Sequence, residues 1–313
     1  MRAHSVDSME RTGQSLTSPS TSGPTGPESP VGPPPHRGDL HPGAGPGGPV
    51  PVQRPWYRRL AWVWVLVGGV AAYLAELVML VGTGNPNFFP SLLLLGALVV
   101  PLTVLTFAAT GGRRVTAPTG WVVATVLAGG VLGTLAAGLL EYDTLARLHA
   151  GQFLAVGLIE EAAKLVVPLV AMALLVRRYP YAGVVIGVAS GMGFATLETM
   201  GYGFTALLQA HSLAAVDQTL LLRAVLSPAG HVAWTGITVA ALWRIPRATH
   251  RLRAAALAAA TFVATVLLHA TWDGAGSQTL RILVGVVSVA ALLWTIHRVH
   301  RDELRTRTER LQA

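Results

Sequence analysis

An all-α polytopic membrane protein is predicted, a bundle of about eight transmembrane helices behind a disordered N-terminal tail. Three observations predict it. Of 313 residues, 52% are hydrophobic and only 12% charged, with mean hydropathy +0.52, too apolar for one soluble domain. Apolar runs long enough to cross a bilayer, about 20 residues each, recur from Trp62 onward. Arginine clusters mark every second connection between those runs.

Residues 1–55 hold 12 of the 20 prolines, with much Gly, Ser and Thr and no apolar periodicity. Such a segment buries too little surface to offset its chain entropy and is expected to be disordered. No apolar stretch follows its first charges, so it does not read as a signal peptide. The membrane domain is expected over 56–300, with spans near 62–82, 89–109, 121–140, 152–176, 181–208, 221–243, 254–273 and 279–297. A basic tail, 301–313, follows.

The arginines set the orientation. Arg54, Arg58 and Arg59 precede the first span, Arg113 and Arg114 follow the second, and Arg177 and Arg178 the fourth. Arg244, Arg247, Arg251 and Arg253 follow the sixth, and Arg298, Arg301, Arg305 and Arg307 the eighth. The alternate loops are nearly free of basic residues. The positive-inside rule then places both termini in the cytoplasm of a multi-pass cell-membrane protein.

The formal net charge of +8 fits arginines facing the anionic leaflet of the lipid bilayer. No basic-aromatic groove pattern accompanies it, so no nucleic-acid partner is expected. The absence of cysteine excludes disulfides, thiolate metal sites and a cysteine nucleophile.

Within the apolar runs stand a few ionisable groups, which are costly there and usually functional. In "GLIEEAAKLVVPLV", Glu160 and Glu161 lie about 13 Å below the outer end of the fourth span at the helical rise. Lys164 follows at i+4 and i+3, within reach of both. It is the only lysine; the other 22 of the 23 basic residues are arginine. Two adjacent carboxylates cannot both stay charged cheaply in a membrane, and one shared negative charge balanced by Lys164 is expected. In the fifth span Gly183, Gly187 and Gly191 form a stripe that admits a close helix neighbour. Glu198, one turn beyond Phe194, projects from nearly the same face.

The sixth span carries "RAVLSPAGHVAWTG", with Ser227, Trp234 and Thr235 on the face of His231, and Pro228 is expected to kink or open the backbone. The seventh ends "LLHATWDG", where Asp273 sits at i+4 from His269 and can orient its imidazole. Glu160, Glu161, Glu198, His231 and His269 agree in depth although their helices alternate in direction. One polar cavity open to the outer side explains the agreement. Glu76 lies deeper with no evident partner and reads as structural or accessory.

Carboxylates with histidines suit activation of water by a glutamate base, with His or a metal stabilising the oxyanion. They also suit ion movement through the bundle. The sequence contains no HExxH zinc pair, no glycine-flanked nucleophilic serine and no pair of membrane aspartates.

On four successive helices, "EEAAK", "GFATLETMGY", "RAVLSPAGHVAWTG" and "HATWDG" resemble, in order, the motifs of the PrsW family of intramembrane proteases. That family falls in the superfamily of CAAX prenyl proteases and bacteriocin-processing enzymes. The resemblance covers about residues 150–275; the other spans are compatible but uninformative. Thr199 departs from the pattern, which often has Asn there. The resemblance implies a protease that cuts a membrane protein near its outer surface, site-1 cleavage of an anti-sigma factor being the best-known family role. On this reading Glu160 is the base. Glu161 and Glu198 orient water or bind metal, His231 is the principal metal ligand or oxyanion donor, and His269 held by Asp273 completes the site. A bound Zn²⁺ would take His231, His269 and Glu198 and leave one position open; a metal-free glutamate mechanism uses the same residues. Two other classes compete: a non-catalytic scaffold using the polar groups as interhelical glue, and an ion-coupled transporter. No inverted repeat or pair of broken helices, the transporter hallmarks, is legible.

Overall fold

The computed structural model describes residues 56–111, 115–148 and 150–312, without the side chain of Trp56. The tail expected to be disordered and the arginines at 54, 113 and 114 lie outside the described residues. A four-residue helix α1 (Trp56–Arg59) leads into α2 (Ala61–Thr83), a 3₁₀ turn at Pro86–Phe88, α3 (Phe89–Thr110) and α4 (Thr119–Leu145). Then come the short helices α5 (Gln152–Ala163) and α6 (Val166–Leu175), the long α7 (Gly183–Ala210), and α8 (Leu213–Leu226) joined to α9 (His231–Arg244) through a 3₁₀ turn at Ser227–Ala229. After a further 3₁₀ turn at Ile245–Arg247, α10 (Arg251–Gly274) and α11 (Gln278–Gln312) close the chain. The described residues contain no strand.

Among the described residues seven segments are long and apolar enough to cross a membrane. The expected fourth span is not among them, because it is two half-length helices of 12 and 10 residues. The break falls at Lys164 and Leu165, and Pro168 explains it. A proline at that position has no N–H for the carbonyl four residues earlier, and its ring crowds that carbonyl. The carbonyl is that of Lys164. It accepts instead from Ser190 Oγ of α7 at 2.7 Å, so the opened backbone stays satisfied.

The sixth span is interrupted as well. Pro228 ends α8, the 3₁₀ turn follows, and Gly230 turns the chain into α9, which starts at His231. The expectation of no paired broken helices is therefore corrected: two spans are broken, at Lys164 and just before His231. The expected basic tail continues α11 as helix, with Glu303 accepting from Arg307 one turn on (2.6 Å) and from the Thr116 N–H (3.2 Å).

Helix α7 is the axle of the bundle; 83% of its most apolar window is buried. Its glycine stripe meets α9, as the spacing predicts. A Cβ on Gly191 would fall on the His231 carbonyl, and one on Gly187 would lie 2.6 Å from the Thr235 carbonyl. Helix α4 packs against the opposite side of α7 at Gly193. Helix α2 lies outermost, without one buried residue, and turns Trp64, Leu74 and Val78 outward.

Replacing Gly191 by Leu should push α9 off α7. Overpacking of this kind costs about 1–3 kcal/mol, so the detergent-purified protein should melt several degrees lower. Gly201→Leu, where an added Cβ meets nothing within 4 Å, should melt like the parent. Equal melting of the two variants would contradict this packing.

Candidate functional site

The two helix breaks and the glycine contact bring the ionisable groups to one place. Lys164, at the C-terminal cap of α5, is fully buried. Its Nζ lies 2.8 Å from Glu161 Oε1, 3.2 Å from Glu160 Oε2 and 2.7 Å from His231 Nδ1. An ammonium has three N–H donors, and here each has an acceptor. Phe194 lies beneath, its ring centre 4.3 Å from Nζ.

Each histidine is oriented from both sides. With Lys164 donating to Nδ1, His231 carries its proton on Nε2, which faces Glu198 Oε2 at 2.8 Å. Arg223 of α8 holds the same carboxylate oxygen at 2.8 Å. Its Nε donates to Thr199 Oγ1 at 3.1 Å, so the residue that departs from the expected pattern supplies an acceptor. His269 places Nδ1 3.0 Å from Glu161 Oε1 and Nε2 3.3 Å from Asp273 Oδ2. The Trp234 indole stacks on His269 at 4.8 Å and is pinned by its own hydrogen bond to Ser288 Oγ of α11, 2.9 Å.

All seven expected residues thus converge, but they divide into two layers. Glu160, Glu198, His231 and Asp273 line a cavity of about 530 Å³. Glu161, Lys164 and His269 do not line it; they lie behind, with side chains no more than 2% exposed. The cavity reaches Phe153, Gln278 and Arg281, at the bundle end carrying the 146–151 and 275–277 connections. Glu76 takes no part in it.

Sequence reasoning missed three charged groups of the cavity wall: Glu141, Arg223 and Arg281. Glu141 lines the cavity because α4 runs to Leu145, five residues beyond the expected end of that span. Arg223 stands in the quoted histidine motif, but only the fold shows that it pairs with a carboxylate on another helix. For a metal, the ligand atoms of Glu160, His231 and His269 lie within 4.8 Å of one another. Glu160 Oε2 is 3.7 Å from His269 Nε2 and 3.8 Å from His231 Nδ1. Zinc bonds of about 2.0–2.1 Å in a tetrahedron need donors roughly 3.4 Å apart, so these three would hold an ion only after the site closes and Lys164 releases His231 Nδ1. Glu160 replaces the expected Glu198 in this grouping, since Glu198 is taken up by Arg223 and His231.

Comparison with known proteins gives the family. Neither the curated proteins nor the solved structures yielded a match. A family model described as PrsW family intramembrane metalloprotease matches residues 117–296, a stretch that begins just before α4, ends inside α11 and contains every residue of the site. As this is more than half of the sequence, the chain belongs to the PrsW family of intramembrane metalloproteases.

Proposed function

We propose that this membrane-embedded peptidase hydrolyses a peptide bond of a single-pass membrane protein at the mouth of its cavity, near the outer leaflet, with Glu160 as the catalytic carboxylate. One observation carries the reading: of the adjacent pair, Glu160 faces the cavity while Glu161 is buried behind it. Glu160 accepts a proton from water, and the water oxygen attacks the scissile carbonyl carbon. The Nε2–H of His231 rests on Glu198 and turns to the oxyanion as it forms. Glu160 then returns the proton to the departing amide nitrogen as the C–N bond breaks. Lys164 holds the Glu160 carboxylate in its orientation, and Glu161 anchors Lys164 and His269. An anti-sigma factor is the substrate class the family resemblance favours.

A second reading rests on the Glu160, His231 and His269 grouping, in which the three hold Zn²⁺ and Glu198 is the cavity carboxylate left to move protons. When bound, the ion would polarise the scissile carbonyl and make water easier to deprotonate. A scaffold or a transporter is less well supported: the broken helices are a feature that transporters share, and the family match, which is to proteases, decides against both.

Glu160→Gln keeps size and removes the base, so cleavage of a single-pass model substrate should fall about 10²–10⁴-fold with melting close to the parent's. Undiminished cleavage would exclude Glu160 from the chemistry. In the parent, a strong chelator should leave activity intact on the metal-free reading. Loss of activity restored by Zn²⁺ would select the second reading.

The arginine pattern supports cytoplasmic termini. Without native cysteines, single cysteines at Asn85 and Gln278 should label from outside intact cells and one at Thr249 should not. The reverse pattern would invert the cavity.

A further inference from the structure

A second pocket lies at the opposite end of the bundle. It encloses about 180 Å³ between the α6–α7 connection, the segment leading into α4, and the C-terminal part of α11. By the share of volume that water takes in the liquid, that is room for roughly six molecules, or for a phosphate with a glycerol attached. Three arginines line it: Arg178 from the connection, and Arg307 and Arg310 from α11.

Its one acidic side chain is already engaged. Glu303 is buried, with one oxygen accepting from Arg307 and the other from the Thr116 N–H. Arg307 reaches on to Thr116 Oγ1 at 2.7 Å, and Tyr181 shares a hydrogen bond of 2.7 Å with Thr306. These bonds fix the walls. Among the described residues Arg178 and Arg310 have no carboxylate within ion-pair distance; Arg178 only lies over the Tyr179 ring. Two exposed guanidinium groups therefore flank a concave site walled by two connections and the C-terminal part of α11, with no carboxylate paired to them among the described residues. Guanidinium is the side-chain group best matched to phosphate oxygens. Basic pockets between transmembrane helices on the cytoplasmic side suit phospholipid headgroups.

We propose that this pocket is a specific binding site for the phosphate-bearing headgroup of an anionic phospholipid, with Arg178 and Arg310 as its principal cations. The site lies at the other end of the bundle from the catalytic cavity and does not depend on the proteolytic mechanism. It differs from general attraction of basic loops to an anionic leaflet, because it requires these two arginines and not their neighbours. Arg177 and Arg305 are exposed and lie outside the pocket lining, which provides a charge-matched control.

The test uses the full chain, purified and delipidated in neutral detergent, incubated with equal amounts of phosphatidylglycerol and phosphatidylcholine. Retained lipid is counted by native mass spectrometry. Phosphatidylglycerol should be retained in preference. The double variant Arg178→Gln/Arg310→Gln should lose about tenfold or more of that retention, and Arg177→Gln/Arg305→Gln should keep it. Equal retention of the two lipids, or equal loss in the two double variants, would overturn the proposal. Displacement of the lipid by millimolar inorganic phosphate would also overturn it and give the site to a soluble phosphate.

Discussion

The rest of the site depends on the three-way contact of the Lys164 ammonium with Glu160, Glu161 and His231. A buried cation and two adjacent carboxylates are each prohibitively costly alone in a membrane interior; together they compensate one another. The contact also fixes chemistry. By donating to Nδ1 of His231 it selects the tautomer whose Nε2–H faces Glu198 and the cavity, and by gripping both carboxylates it settles which one faces water. Arginine, planar and larger, cannot direct three donors from one atom. That gives a physical reason for the chain's single lysine to stand here.

The backbone is shaped around this contact. Pro168 opens the helix one turn beyond the lysine, and Ser190 repairs the freed carbonyl from α7. Pro228 and Gly230 open a second helix so that α9 begins at His231. The glycine stripe then lets α9 approach α7 closely enough for His231 to meet Glu198 from α7 and Lys164 from α5. Broken helices are tolerated in membranes where they are buried in protein or line a cavity, and both breaks here do so. Trp234 and Phe194 pack around the rings, and Trp234 also forms part of the cavity wall.

Much of this was legible in the sequence. Hydropathy placed most span starts within about three residues, although α8 begins eight residues before the expected sixth span and α11 runs fifteen beyond the expected eighth; the glycine spacing on α7 predicted its close neighbour. The shared depth of Glu160, Glu161, Glu198, His231 and His269 predicted one cavity; the five converge, but Glu161 and His269 lie behind its wall rather than in it. Pairings between helices were not legible, because they depend on helix rotation that a one-dimensional pattern leaves free; Arg223 with Glu198 is the clearest case. Glu141 was lost to a boundary shift at the end of α4, where hydropathy falls before the helix stops. The break at Lys164 did have a signal. Pro168 stands in the same stretch as the two glutamates, four residues after the lysine whose carbonyl it frees. Read as a hydropathy profile, that stretch is one continuous span; read as a hydrogen-bond ladder, it is two helices.

The most direct test of the central contact is substitution of the lysine itself, with cleavage of a single-pass substrate and thermal melting measured on the same purified samples. Removing one partner of a buried ion pair costs about 3–5 kcal/mol. Lys164→Met should therefore melt well below the parent unless a carboxylate takes up a proton, and in either case it should turn over at least about 100-fold more slowly. Lys164→Arg, which keeps the charge but not the three-donor point geometry, should also be impaired. A Lys164→Met protein that cleaves and melts like the parent would show that the ammonium organises neither the fold nor the catalytic carboxylate.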